Sequence, residues 1–224
     1  MKTLTRRFVL IVGLILSPFA HASIDTCRVL CDPEWLAQVD VAEFRAVLDG
    51  KTMAEITGRD EYDWTPLHLA ARWSKPEVIE VLIHAGDPLE AISEFNGQTP
   101  LHSAVTSGKV ENLEALLAAG ANIGSRCLKG GTPLHWAAQF GSVLMVQKLI
   151  DAGAMLEARD RNGYTPLHWA AKNGMPAKLR VLIAAGADVT AKTRSGMMPA
   201  DLADTNDLIK GSDVYWILHD ARFE

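Results

Sequence analysis

Between residues 76 and 184, apolar side chains recur at steps of three and four, the spacing that gathers them on one face of a helix. Four such stripes stand out: Val78, Leu82 and Ile83; Leu113, Leu116 and Leu117; Val143, Val146, Leu149 and Ile150; Leu179, Leu182 and Ile183. Ahead of each stripe lies a shorter helical pattern built on alanine: Ala70 and Ala71, Ala104, Ala137 and Ala138, Ala170 and Ala171. Side chains that small let a second helix approach closely. Every alanine pattern opens on threonine followed by proline. The hydroxyl can accept from the free N–H groups of a first turn, and proline is preset for the first helical position. Every stripe closes on Ala-Gly, where glycine takes the left-handed conformation that costs other residues energy. Polar turns such as Asp160-Arg161-Asn162-Gly163 separate the units. The pattern predicts turn, helix, short loop, helix, over and over.

The period is regular. Thr65-Pro66-Leu67-His68 returns as Thr99-Pro100-Leu101-His102, Thr132-Pro133-Leu134-His135 and Thr165-Pro166-Leu167-His168, and the pairs Ala85-Gly86, Ala119-Gly120, Ala152-Gly153 and Ala185-Gly186 keep phase with it. One unit alone leaves its stripe in water. Burying a Leu or Ile contributes about 1.5–3 kcal/mol, and only stacked neighbours realise that gain, so the units are expected to form a solenoid. In these features the chain resembles the ankyrin-repeat family, whose Thr-Pro-Leu-His-x-Ala signature and period of about 33 residues it meets four times. The resemblance is close over roughly residues 60–203. It implies an all-α solenoid of helix-turn-helix units with short β-turn connections, with repeats at 59–92, 93–126, 127–159 and 160–192. Residues 23–58 read as a degenerate capping repeat, with Trp35 and Leu36 on one short helix and Val41, Phe44, Val47 and Leu48 on another. Residues 193–224 read as the C-terminal capping repeat, in which 212–222 form the last helix.

Several positions depart from the family pattern. Met198-Pro199-Ala200-Asp201 replaces the signature, and Asp201 stands where the histidine belongs, so the family's hydrogen bond is not expected there. Asp63 replaces the turn glycine before Thr65, and Ser74 replaces the glycine between helices. One extra residue near Ile92-Ser93-Glu94 predicts a turn of different shape between the first two repeats.

The first 22 residues change the setting. Lys2, Arg6 and Arg7 precede an apolar run from Phe8 to Leu16, Ser17-Pro18 breaks it, and Ala20-His21-Ala22 offers the small residues of a cleavage site. This is the pattern of an export leader cut after Ala22. The run is shorter than the roughly 20 residues a membrane span needs. Arg6-Arg7 invites a twin-arginine reading, but the following residues match that signal poorly, which favours ordinary unfolded export. The mature chain is therefore expected to be periplasmic or secreted. Loss of the leader moves the net charge from −5 to −8, with 19 basic residues left against 27 acidic ones. Such a chain repels phosphate backbones, so nucleic acid is not an expected partner. Disulfides persist outside the cytoplasm. Cys27 and Cys31 are placed for a small bridge contributing at most about 2 kcal/mol, against the alternative of two free thiols. Cys127 is the odd thiol, either free or available for an intermolecular bond.

The signature histidines invite a metal or acid–base reading, and geometry argues against it. Helices stack about 8–10 Å apart, whereas zinc needs its nitrogens at about 2.0–2.1 Å. The resemblance instead implies a structural histidine that bonds the neighbouring turn. Trp136 and Trp169 read as packing between repeats. No strand-to-helix elbow carries a nucleophile and no glycine-rich phosphate loop is present, so neither a cofactor nor a catalytic centre is expected.

What remains is a surface. In this family, binding generally uses the turn tips and the exposed face of each first helix. Carried over residue by residue, the tips are Tyr62, Trp64, Phe95, Gln98, Leu128, Lys129, Arg161 and Tyr164. The helix positions are Arg72, Trp73, Thr106, Ser107, Gln139, Phe140, Lys172 and Asn173. Aromatic residues and arginine, which dominate binding hot spots, are frequent among them. The competing reading is that several pack on neighbouring turns, Phe140 foremost. The sequence thus points to a monomeric, non-catalytic protein binder. An inhibitor or immunity protein against one exported enzyme or toxin is the alternative, and an enzyme is the rival from another class.

Overall fold

The computed structural model describes residues 30–52 and 56–223. The leader, its cleavage site and Cys27 lie outside the described residues. Twelve helices and no strand occur among the described residues. Each alanine-rich sequence becomes a first helix: α3 Pro66–Trp73, α5 Pro100–Ser107, α7 Pro133–Gln139 and α9 Pro166–Lys172. Each apolar stripe becomes a second helix: α4 Pro76–His84, α6 Val110–Ala118, α8 Val143–Asp151 and α10 Pro176–Ala184. The N-terminal cap supplies α1 Pro33–Gln38 and α2 Val41–Leu48, and the C-terminal cap supplies α11 Pro199–Asp204 and α12 Asp213–Asp220.

The helices start where the side chains dictate. Asp32 accepts from the N–H groups of Glu34 and Trp35 and so opens α1. In the four repeats threonine holds the extended conformation of an N-cap, and the histidine three residues on completes a capping box with it. Alternate helices then stack on each other in two layers. The first helices run α1, α3, α5, α7, α9, α11, each against the next, and the second helices run α2 to α12 in the same way. Between the layers lies one continuous core from Leu30 to Leu218. Leu67, Leu101, Leu134 and Leu167 enter it from the first layer, and Leu82, Leu116, Leu149 and Leu182 from the second. Phe44 and Leu36 close it at the N-terminal end.

The turns between repeats decide what the groove presents. Four of them bend at Gly97, Gly130, Gly163 and Gly196 with φ between 70° and 83°, and the first bends at Asp63 with φ 61°. A non-glycine residue there is strained. Asp63 offsets the strain with its side chain, which accepts from Arg59 at 2.7 Å and from the N–H of Glu94 at 2.6 Å. At Gly163 a Cβ would stand 2.7 Å from the backbone nitrogen of Arg194, so the next turn itself forbids a side chain. In four of the turns the closing backbone bond joins residues four apart, as in Cys127 to Gly131, but between the first two repeats Ser93 pairs with Gln98. The extra residue is thus absorbed at the tip, where Phe95 projects with 76% of its surface exposed.

Cys31 is disulfide-bonded and Cys127 is a buried free thiol. Among the described residues no helix is long and apolar enough to cross a membrane.

Candidate binding groove

The signature histidines build the frame of the groove. Their Nδ1 atoms accept from the N–H of the capping threonine at 3.1–3.3 Å. Their Nε2 atoms lie 3.0–3.3 Å from the carbonyls of Gln98, Gly131, Tyr164 and Met197, each in the following turn. An Nδ1 that accepts carries no proton, so Nε2–H is the donor and the neutral ring is the form that fits. Burial drives the same result, lowering His68 and His102 to about 4 and lowering His135 and His168 as well. Among the described residues no group of three His, Cys, Asp or Glu could hold a metal ion. At the C-terminal cap Asp201 keeps the inward half of the bond, accepting from the N–H of Met198 at 2.7 Å, and turns its other oxygen to Arg222 of the last turn.

With the backbone so fixed, the turn tips line up. The N–H groups of Leu128, Arg161 and Arg194 donate to the carbonyls of Asn96, Lys129 and Asn162 in the preceding tips. A second tie was not read from the sequence. Arg59 and Arg126 donate to the carbonyls of Ile92 and Arg159 at 2.9 and 2.7 Å, and Arg159 reaches Lys192 likewise. Their recurrence at one turn position was the available signal.

Five of the residues expected in the groove meet around one open pocket of about 360 Å³: Tyr62, Trp64, Arg72, Trp73 and Phe95, with Leu69 at its base. The Arg72 guanidinium lies 5.5 Å from the Trp64 ring and 5.2 Å from the Trp73 ring, held by two π faces. A second, smaller pocket of about 130 Å³ lies two repeats further on and gathers Lys129, Gln139 and Phe140 against Trp136 and Trp169. Phe140 leans on Trp136 with ring centres 5.3 Å apart yet stays 57% exposed, so it does not fold inward. Beyond it Lys172 stands over the rings of Tyr164 and Trp169 at 5.4 and 5.0 Å, and Arg161 is exposed at its tip.

One expectation needs correction. Gln98 is 4% exposed, and its carbonyl accepts from both His68 and the N–H of Ser93. Thr106 and Asn173 are half-buried, the Thr106 hydroxyl donating to the carbonyl of Ser103 and the Asn173 amide to that of Trp169. Trp136 and Trp169 pack against the core as expected, and Trp169 also donates to Asp160 at 3.1 Å.

Asp87 was missed altogether. Ala121, Ala154 and Ala187 stand at the matching place in the other repeats, so the carboxylate in Ala85-Gly86-Asp87 was visible as an outlier. One oxygen accepts from the N–H of Leu67 at 2.8 Å and the other has no partner among the described residues. Burial pushes the carboxyl up to about 7.

Comparison with known proteins agrees with the architecture. A family model described as ankyrin repeats (3 copies) matches residues 44–127 and 113–193. The chain belongs to the ankyrin-repeat family. No curated protein matches it. Ankyrin repeats are generally protein–protein interaction modules and typically non-catalytic, which gives the groove of this ankyrin-repeat protein its first meaning.

Proposed function

We propose that this ankyrin-repeat protein is exported, cleaved after Ala22, and binds a protein partner in the periplasm or outside the cell through its groove, as a monomer and without catalysis. The observation that carries the reading is the convergence of Tyr62, Trp64, Trp73 and Phe95 on one open pocket, with Arg72 among them. Stacking the repeats does not require a large aromatic side chain at any of these places. A solvent-facing cluster of this kind is the composition of a binding hot spot.

The pair Trp73→Ala and Phe95→Ala tests it, since both side chains are exposed, whereas Trp64 also stacks on His68. The double variant is expected to keep the thermal midpoint of the parent and to lose the proteins that the parent captures from the exporting compartment. A folded variant that captures the same proteins refutes the proposed site. Export has its own test, in which the protein recovered outside the cytoplasm begins at Ser23 and yields a Cys27–Cys31 peptide on mapping.

A further inference from the structure

The charge of the groove runs against the charge of the chain. The protein carries a net −5, yet the part of the groove formed by the third repeat onward presents Lys129, Arg161, Lys172 and Arg194, all exposed. Together with Arg72 these are five cations, and among the described residues none has a carboxylate within 4 Å. Along the second helices Lys148 pairs with Glu114 and Arg180 with Asp213, and at the cap Arg222 pairs with Asp201 and Asp204. Asp160, which lines the second pocket beside Lys129, is buried and accepts from Asn162, Tyr164 and Trp169. The exposed acids of the tips, Glu61 and Glu94, belong to the aromatic end. Arg72 and Lys172 are steadied by aromatic faces, which leave their charge uncompensated.

From this we infer that the partner presents an extended acidic segment, with a large apolar side chain in the Trp64–Trp73 pocket and carboxylates along Lys129, Arg161, Lys172 and Arg194. The inference rests on the groove being the binding site. The two pockets are two repeats apart, about 20 Å at the usual spacing of stacked helices. An extended chain advances about 3.3 Å per residue, so two anchors about six residues apart reach both pockets. The second, smaller pocket takes the smaller anchor. Carboxylates that meet pre-positioned, unpaired cations gain charge-assisted hydrogen bonds without first breaking an ion pair.

The test is selection of a displayed pool of random peptides, about 12 residues long, on the full mature chain. The winners are expected to carry an aromatic or leucine followed or preceded by aspartates and glutamates. A synthetic copy of the strongest is expected to bind the triple variant Lys129→Glu, Arg161→Glu, Arg194→Glu at least about tenfold more weakly. Its affinity for the parent is expected to fall as salt rises from about 50 to about 300 mM. A pool without acidic enrichment, or no peptide above background, overturns the inference. So does equal competition by a single-stranded oligonucleotide of the same charge, which would make the stripe a general polyanion site. Self-association of the chain that Trp73→Ala with Phe95→Ala abolishes would assign the groove to a second copy, and also overturns it. If the double variant weakens capture of native partners while the triple charge variant does not, the groove reading stands and the acidic partner falls. If neither variant weakens capture, both fall.

Discussion

At the scale of single residues, the repeated histidine is a neutral two-sided connector and its chemistry sets the response to acid. Its folded pKa lies below that of a free imidazole, near 4 at His68 and His102. Between about 6.5 and that value the unfolded chain binds protons that the folded chain refuses. The stabilisation is therefore complete above about pH 6.5 and is lost as pH falls through about 4, which a series of urea midpoints from pH 7 to pH 4 will show as a steady decline. Asp87 acts with the opposite sign. Its folded pKa is raised to about 7, so its favourable state is the protonated one, complete below about 3.8 and lost as pH rises through 7. Asp87→Asn is expected to stabilise the protein at pH 8 by on the order of 1–3 kcal/mol and to change little at pH 5, measured by the same midpoints. The histidine's role was legible in the sequence because it recurs. Asp87 is a single exception to a pattern, and its surroundings depend on the fold, which brings the N–H of Leu67 to its carboxylate.

At the scale of helices, the starts were legible and the ends were less so. Threonine, proline and histidine fix the first turn locally, through bonds within four residues. The far ends of the first helices are finished by side chains from the next repeats, which the sequence does not place. Asn112 donates to the carbonyls of Ala71 and Ser74 at the end of α3, and Lys178 donates to those of Ala137 and Ala138 at the end of α7. Lys178 is 6% exposed, so its amine meets these carbonyls away from water. Lys178→Ala is expected to cost about 1–3 kcal/mol, read as a lower urea midpoint, and Lys178→Gln to restore part of it. The groove suffered from the same limit. Tyr62, Trp73 and Phe95 could be placed by period alone, whereas Gln98 shares the period position of Trp64 and Tyr164 and is buried where they are half-exposed, a difference the period does not carry.

At the scale of the molecule, stability is held at interfaces between neighbours, and the two ends are not equivalent. The aromatic pocket lies near α1, which packs on α3, while α12 covers α11 and α10 at the far end. A chain ended after Thr205 loses α12 and with it Val214 and Leu218, both fully buried. The shortened protein is expected to unfold at a lower temperature and over a broader range, because the last repeats melt ahead of the rest. Capture through the pocket at the other end is expected to persist at temperatures below that early step.

The salt bridge from Asp201 to Arg222 bears on how such an array could grow or shrink. Each histidine hands a bond forward to the following turn, and Asp201 turns its second oxygen back to its own cap instead. That substitution works as a terminator. A copied repeat inserted ahead of Met198 would find a donor on one side and a waiting carbonyl on the other, so the scaffold can be lengthened from within. One appended behind it would meet a carboxylate already committed, and would hang on the array without being joined to it.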